Sequence, residues 1–402
     1  MSSQLPTYQI YILMLMMLLF GATNTIIHKF QNELRTKDPK TGEDMKYNHP
    51  FFQALCMFIA EFSCLVIYKI YEWRQNKKHG GRDNNPSIIE AKKQGKKTEI
   101  NVFLFIIPAC FDIMGSTLQF IALTMIAASI YQMMRGTLVF IIAIMSIIFL
   151  ARRLYRHHWS SLAVIFVGLA MVGATPLIFP DKDDNDEDNQ ALYVIIGICL
   201  IIFSQLFTGC HMITEEKLFH NYYLHPLRVV GWEGLWGVLI YTILLVILQF
   251  IPCHIDKVCP HGTIEDTPQA IREWTRNDGL WITTIVYVIS VAAFNCLGVS
   301  ITKYASAAQR STIDMSRTAL IWVFFLIYPG NGHEKFEYLE LIGFILLIAG
   351  TLVYNEIVVI PFLGFNKNTK KAIAEREPKR ESVDSYRKEL LTNEENDEDS
   401  AI

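Results

Sequence analysis

Ile130-Tyr-Gln-Met-Met-Arg135-Gly-Thr-Leu138 aligns with Thr312-Ile-Asp-Met-Ser-Arg317-Thr-Ala-Leu320 at an offset of 182 residues, and each stretch sets an arginine inside a long apolar run. The same offset pairs Arg153 with Lys335 and Gly168 with Gly350. An offset of 183 pairs Phe111, Asp112 and Gly115 with Phe294, Asn295 and Gly298. Two further runs both open with His-Pro, at His49-Pro50 and His225-Pro226. Chance gives any one of these matches, but their common order predicts an internal repeat.

The runs between these marks set the size of the repeating unit. Spans are expected at about 8–30, 50–71, 101–124, 128–150, 159–179, 191–213, 227–252, 281–303, 306–328 and 336–360, each close to the roughly 20 apolar residues that cross a bilayer. Five spans form one unit, and an odd number reverses direction, so two copies are antiparallel in the membrane. The predicted fold is an all-α membrane protein of ten transmembrane helices in two inverted five-helix repeats. Residues 1–190 are the first repeat with an acidic lumenal loop, 191–364 the second, and 365–402 a disordered cytoplasmic tail. Inverted repeats are the architecture of secondary transporters, whose substrate site lies where the repeats meet.

Composition agrees. Of 402 residues, 51% are hydrophobic and 19% charged, against about a quarter charged in soluble domains. That excludes a soluble enzyme, a disulfide scaffold and a nucleic-acid binder. The first run is long enough to remain as a span rather than a cleaved signal. With the N-terminus cytoplasmic, 23 lysines and arginines fall on the inner side and 10 on the outer, so both termini are expected inside. Helix 1 alone argues the opposite, and the global count outweighs it.

Charge inside a bilayer costs at least about 2.5–3.5 kcal/mol per group. Glu61, Asp112, Arg135, Glu233, Arg310, Asp314 and Arg317 lie within predicted spans and need a reason. Arg310, Asp314 and Arg317 share one helical face. They form either a self-contained ion ladder or a substrate site with one uncompensated positive charge. The repeat makes Arg135 the mate of Arg317 and Gln132 the mate of Asp314, so these four are the candidate substrate-binding residues. An Asp314–Arg135 lock between the halves is the structural alternative. Tyr131 is placed to stack a ring-bearing substrate, and Asn24 to line the cavity, although packing and backbone hydrogen bonding account for them equally. Asp112 and Glu61 are candidates for carrying a coupling proton, against a plain interhelical hydrogen bond. Glu233 lies in Gly231-Trp-Glu-Gly-Leu-Trp-Gly237, whose glycines form a smooth packing face.

The residues now on the page carry a resemblance. Gly21-Ala-Thr-Asn-Thr25, His49-Pro-Phe-Phe-Gln53, Glu61-Phe-Ser-Cys64, Gln132-Met-Met-Arg-Gly136, Glu215-Glu-Lys217, His225-Pro-Leu-Arg228, Glu233-Gly234 and Asp314-Met-Ser-Arg-Thr318 resemble the drug/metabolite transporter superfamily. Within it they resemble the F branch of the nucleotide-sugar-transporter-like solute carrier family 35. The resemblance implies the drug/metabolite transporter fold, alternating access and an endomembrane location, lysosomal or endosomal, with Golgi and mitochondrion as alternatives. The implied substrate is a small molecule of undefined class, with no cofactor. A homodimer or a membrane-protein partner stays open, as does a non-transporting scaffold acting through partner binding.

The loops add less. The run Asp181 to Asp188 lacks the glycine and closing glutamate of a calcium loop. Cys253 and Cys259 are expected to form a disulfide, because a non-cytosolic loop permits one and distant relatives carry disulfides there. Their spacing with His254 and His261 fits no standard zinc site, and no metal site is expected. No phosphate-binding glycine loop supports ATP-driven transport.

Overall fold

A computed structural model describes residues 6–37, 44–47, 49–82, 84–93, 95–125, 134–178, 190–252, 263–328, 336–361, 364–369, 372, 373 and 376. Among them, ten long helices follow in chain order: α1 (Thr7–Glu33), α2 (Pro50–His79), α3 (Ile106–Met125), α4 (Thr137–Leu150), α5 (Arg156–Ile178), α6 (Gln190–Asn221), α7 (Pro226–Phe250), α8 (Asp278–Tyr304), α9 (Ala307–Ile327) and α10 (Tyr338–Tyr354). Two short helices, Pro86–Lys93 and Thr267–Arg276, and an antiparallel ribbon of Arg35–Lys37 with Asp44–Lys46 fill connections read as loops.

The helix ends follow local chemistry. Pro50 and Pro226 open α2 and α7, where a missing N–H costs nothing. The two preceding histidines diverge. His225 caps α7, its Nδ1 accepting from the Leu227 amide at 3.3 Å, whereas His49 makes no cap and turns away toward Glu265. α2 stops at Gly80, whose φ of 71° suits a residue without a Cβ, and its last turn carries Lys77, Lys78 and His79 against the negative helix end. Asn277 and Ser306 cap α8 and α9 through their side-chain oxygens.

Among the described residues, six stretches are long and apolar enough to cross a membrane: Tyr8–Gln31, Pro50–His79, Val102–Gln119, Ile195–Asn221, Pro226–Phe250 and Asp278–Tyr304. α4 and α10 are shorter apolar helices. Large apolar side chains face outward, with Phe250 79%, Ile327 75% and Ile148 68% exposed, a surface suited to lipid and not to water. α9 differs: every residue from Ala307 to Arg317 is buried, so its charges face protein and not lipid.

Packing pairs α1 with α8 and α3 with α6, α1 with α9 and α4 with α6, α2 with α8 and α3 with α7, and α2 with α3 and α7 with α8. Further contacts join α2 to α7, α4 to α9 and α5 to α10, and also α9 to α10, α8 to α9, α6 to α8 and α6 to α9. The predicted smooth face is present: Gly231, Gly234 and Gly237 of α7 seat on Leu65, Glu61-Phe62 and Phe58 of α2. In α5 and α10 the backbones themselves meet, since a Cβ on Gly168 would stand 2.6 Å from the Gly343 carbonyl, and one on Gly343 2.7 Å from that of Gly168.

The connections gather at two ends. At the basic end the Lys97 amide donates to Asn221 O at 3.3 Å, Lys303 Nζ donates to Leu224 O at 2.8 Å, and Arg152 reaches Glu216. At the ribbon end Asn277 Nδ2 donates to Arg35 O at 3.3 Å. Two predicted boundaries move: α2 continues to His79 and α6 to Asn221, because polar residues extend a helix once its apolar stem is anchored, while the predicted start of the fourth span lies outside the described residues. Past residue 364, a 3-10 turn at Phe365–Asn368 and a buried Thr369 stand where a disordered tail is predicted to begin.

Candidate functional site

α9 is the organising helix because its three charged residues face two different neighbours. Asp314 is 5% exposed and meets Arg135, beside the start of α4, at 3.5 Å. It also meets Arg317, one turn along, at 3.1 Å from Oδ1. That Oδ1 has no well-aligned hydrogen bond, so the second contact is chiefly one of charge. The Arg317 guanidinium lies 5.2 Å from the Phe294 ring centroid of α8, a cation–π contact. Gly21 of α1 leaves the room: a Cβ there would stand 2.9 Å from Phe294 and 3.2 Å from the Arg317 stem. One turn on from Gly21, the buried Oδ1 of Asn24 has no hydrogen-bond partner. Arg135, Asp314 and Arg317 thus come together, with Asp314 in contact with Arg135 across the helices and Asn24 on the neighbouring helix.

The expected ladder along α9 is corrected. Arg310 does not neutralise Asp314; its Nη1 donates to Glu215 Oε2 of α6 at 2.5 Å, and it contacts Thr302 of α8 at 3.4 Å. Gly298 permits this, since a Cβ there would stand 2.7 Å from Arg310 Nε. A guanidinium takes a carboxylate on a facing helix when that carboxylate has no other strong partner, and Glu215 is fully buried.

Around Glu215 the site is rich in acids. His211 Nε2, one turn earlier on α6, lies 3.6 Å from Glu215 Oε1 and 3.4 Å from Glu233 Oε2 of α7. Asn295 Nδ2 of α8 donates to Glu61 Oε1 of α2 at 2.6 Å. Glu61 and Asp112 lie within electrostatic range of His211 and Glu215. Both coupling candidates therefore belong to one cluster, and Glu61 has the interhelical hydrogen bond weighed as its alternative. Glu233 is buried within it.

The sequence reading does not mark His211, Glu215 or Asn295 as site residues, although Asn295 appears in the repeat and Glu215 in a motif of the resemblance. His211 was not counted among ionisable groups, and ending the sixth span at 213 put Glu215 outside the membrane. The spacing His211-x-x-x-Glu215, one face of a helix, was the available signal. Glu216 was also missed. It meets Arg152 at 2.6 Å and accepts from the Ala307 amide at 2.9 Å, joining the end of α4, the end of α6 and the start of α9.

At the ribbon end, His49 Nδ1 lies 2.7 Å from Glu265 Oε1 and its Nε2 3.7 Å from Glu273. Burial disfavours the charged imidazole, but hydrogen bonds and charge from Glu265 and Glu273 prevail and hold its pKa up to about 9. Gln132, Tyr131, Cys253 and Cys259 lie outside the described residues, as do the Asp181–Asp188 run and residues 377–402. The other six cysteines are unbonded.

The sequence model of the family described as nucleotide-sugar transporter matches residues 10–223. Human solute carrier family 35 member F6 is 33% identical over 348 residues, covering 87% of this chain and 89% of its own. An uncharacterised protein of Schizosaccharomyces pombe is 30% identical over 350 residues, covering 87% of this chain and 98% of its own. One solved structure, described only as the crystal structure of a protein, superposes with a TM-score of 0.55 at 11% identity, over 88% of this chain and 98% of its own, and so shares the fold alone. The apolar helices, the lipid-facing surface and these likenesses agree: the chain belongs to the nucleotide-sugar transporter family, in the F branch of solute carrier family 35, and is a multi-pass membrane solute transporter, not an enzyme.

Proposed function

We propose that the protein is a secondary-active transporter that carries a small polar or charged organic solute across an intracellular membrane by alternating access of two inverted five-helix halves. One observation carries this reading. Exchange each helix with the one five places along, and most of the packing pairs described above map onto one another: α1–α8 onto α6–α3, α1–α9 onto α6–α4, α2–α8 onto α7–α3 and α2–α3 onto α7–α8. The contacts α2–α7, α4–α9 and α5–α10 map onto themselves. The contacts α9–α10, α8–α9, α6–α8 and α6–α9 have no counterpart of like extent among the described residues; the paired contacts support a pseudo-twofold axis in the membrane plane, with α4 and α9 facing across it.

Arg135, Asp314 and Arg317 lie at that crossing, with Gln132, Tyr131 and Asn24 as the remaining candidate lining. Two guanidiniums around one carboxylate suit a solute bearing phosphate or carboxylate, which would take over the contacts Asp314 now makes. The family description, nucleotide-sugar transporter, supports an anionic solute of that kind. Asp112 and Glu61, in the adjoining acid cluster, are the proposed carriers of a coupling proton. The 23 to 10 split of basic residues supports cytoplasmic termini, and the family resemblance supports a lysosomal or endosomal membrane.

The test is a thermal-shift screen of the purified chain against nucleotides, nucleotide sugars, amino acids, short peptides and organic cations. A ligand at 100 times its dissociation constant stabilises by about 2.7 kcal/mol. The expected result is one chemical class that raises the melting temperature of the wild type and not of Arg135→Ala. Silence across the panel, with the protein well folded, overturns the transporter reading in favour of a membrane scaffold.

A further inference from the structure

The acid cluster counts four carboxyls, Glu61, Asp112, Glu215 and Glu233, against one guanidinium, Arg310, and one imidazole, His211. Uncompensated charge at this depth is expensive. Some further positive charge belongs in the cluster when its carboxylates ionise, and the geometry shows where it would sit. His211 Nε2, Glu215 Oε1 and one oxygen of Glu233 lie within 4.8 Å of one another, and all three residues are buried.

The separations suit metal ligands better than tight charge-assisted hydrogen bonds, and His211 Nε2 and Glu233 Oε2 make only a long hydrogen bond. His211 Nε2 stands 3.4 Å from Glu233 Oε2 and 3.6 Å from Glu215 Oε1. Charge-assisted N–H···O bonds close to about 2.7–2.9 Å. Two ligand atoms on a tetrahedral ion, each about 2.1 Å from it, stand about 3.4 Å apart. A single ring nitrogen has one proton or one lone pair, so it cannot serve both carboxylates by hydrogen bonding. An ion placed among the three atoms satisfies all of them at once.

Two buried oxygens make the same point independently. Glu215 Oε1 and Glu233 Oε1 have no hydrogen-bond partner, although Glu215 is fully buried and Glu233 is 5% exposed. The other Glu215 oxygen is held by Arg310, which fixes the carboxylate and leaves Oε1 directed at His211. That is the outer-shell support a metal-binding carboxylate needs. No spacing motif appears, because the third ligand comes from α7, the helix after α6.

We propose that His211, Glu215 and Glu233 bind a first-row divalent cation, of which zinc best suits one imidazole and two carboxylates with a fourth position open. The site is separate from the Arg135–Asp314–Arg317 crossing and does not depend on the solute carried there.

The probe is Co2+, titrated into the purified full chain in detergent and followed by its visible d–d absorption, with Zn2+ added afterwards as competitor. The expected result is one equivalent of Co2+ per chain, displaced by Zn2+. Glu233→Gln and His211→Gln should each weaken binding by about 100-fold or more, beyond the loss of an outer-shell partner. His157→Gln is the control, because His157, His158 and Glu356 form the other described group of metal-type ligands, and it should bind like wild type. Three outcomes overturn the proposal: folded wild type that binds no Co2+, undiminished binding in Glu233→Gln, or loss of binding in His157→Gln. If either ligand variant fails to fold, the wild-type titration and the His157 control still decide the question.

Discussion

The two ion clusters on α9 have opposite balances. Around Asp314, two guanidiniums share one carboxylate. One turn away, Arg310 stands with His211 among four carboxyls. A single helix thus sends its first arginine into an acid-rich pocket and its second into a base-rich one. The lesson is that intramembrane charges on one face need not neutralise each other. Each goes to the facing helix that leaves the fewest groups unpaired. The acid-rich pocket is closed inside the bundle, whereas Arg135 keeps 22% of its side chain exposed. On the proposals made above, the first would hold structure or small cations and the second would receive the solute.

Removing Arg310 should do most to break this contrast. Arg310→Ala leaves the fully buried Glu215 without its guanidinium and should destabilise the protein by about 3–5 kcal/mol, read as loss of folded material or a large drop in melting temperature. A fall no larger than that of Arg317→Ala would mean that the two pockets are equally closed.

The His49 site offers a third balance, one cation between two acids outside the spans, and it sharpens the comparison through pH. With a pKa raised from 6.5 to about 9, charged His49 contributes stability that is complete below about pH 6.5 and lost as pH rises through about 9. The expected size is about 3 kcal/mol. The melting temperature of wild type should fall across that window while that of His49→Gln stays nearly flat. Parallel profiles would show that the two glutamates do not hold the charge.

Arg317→Ala should abolish transport at a stability cost of about 1–2 kcal/mol, because Asp314 keeps Arg135. Solute uptake into proteoliposomes and the melting curve separate the two effects, and unfolding would make Arg317 structural. The smallest effect belongs to the pair across the halves. A double-mutant cycle on Arg135→Ala and Asp314→Ala should give a coupling energy of about 1 kcal/mol, and additivity would remove the lock.

Much of the fold is legible in the sequence because membrane spans write themselves as long apolar runs. Each of the ten predicted runs has a helix in register among the described residues, and six of these stretches are long and apolar enough to cross a membrane. What escapes is whatever depends on a partner helix. Arg310, Asp314 and Arg317 read as a ladder because their spacing is local, and only the position of α6 reveals that Glu215 takes the first arginine. His211 and Glu215 stayed hidden because a hydropathy window ends a span at its last apolar residue, whereas α6 runs on for two more turns. The twin His-Pro pairs show the limit from another side: their backbone role repeats, yet one imidazole caps its helix and the other joins an ion cluster.

The glycine crossings of α5 on α10 and α2 on α7 carry a mechanical consequence. Without a hydrophobic force between helices in lipid, close backbone approach is what binds them, and it resists separation while tolerating a small rotation. Both crossings lie on the proposed symmetry axis, as does α4 on α9, which is joined by an ion pair. On that proposal, two bearings and one latch would share a single line. Motion of the halves would turn on the glycines and be timed by the charges, so a bulky residue at Gly168 should jam the machine with its latch intact.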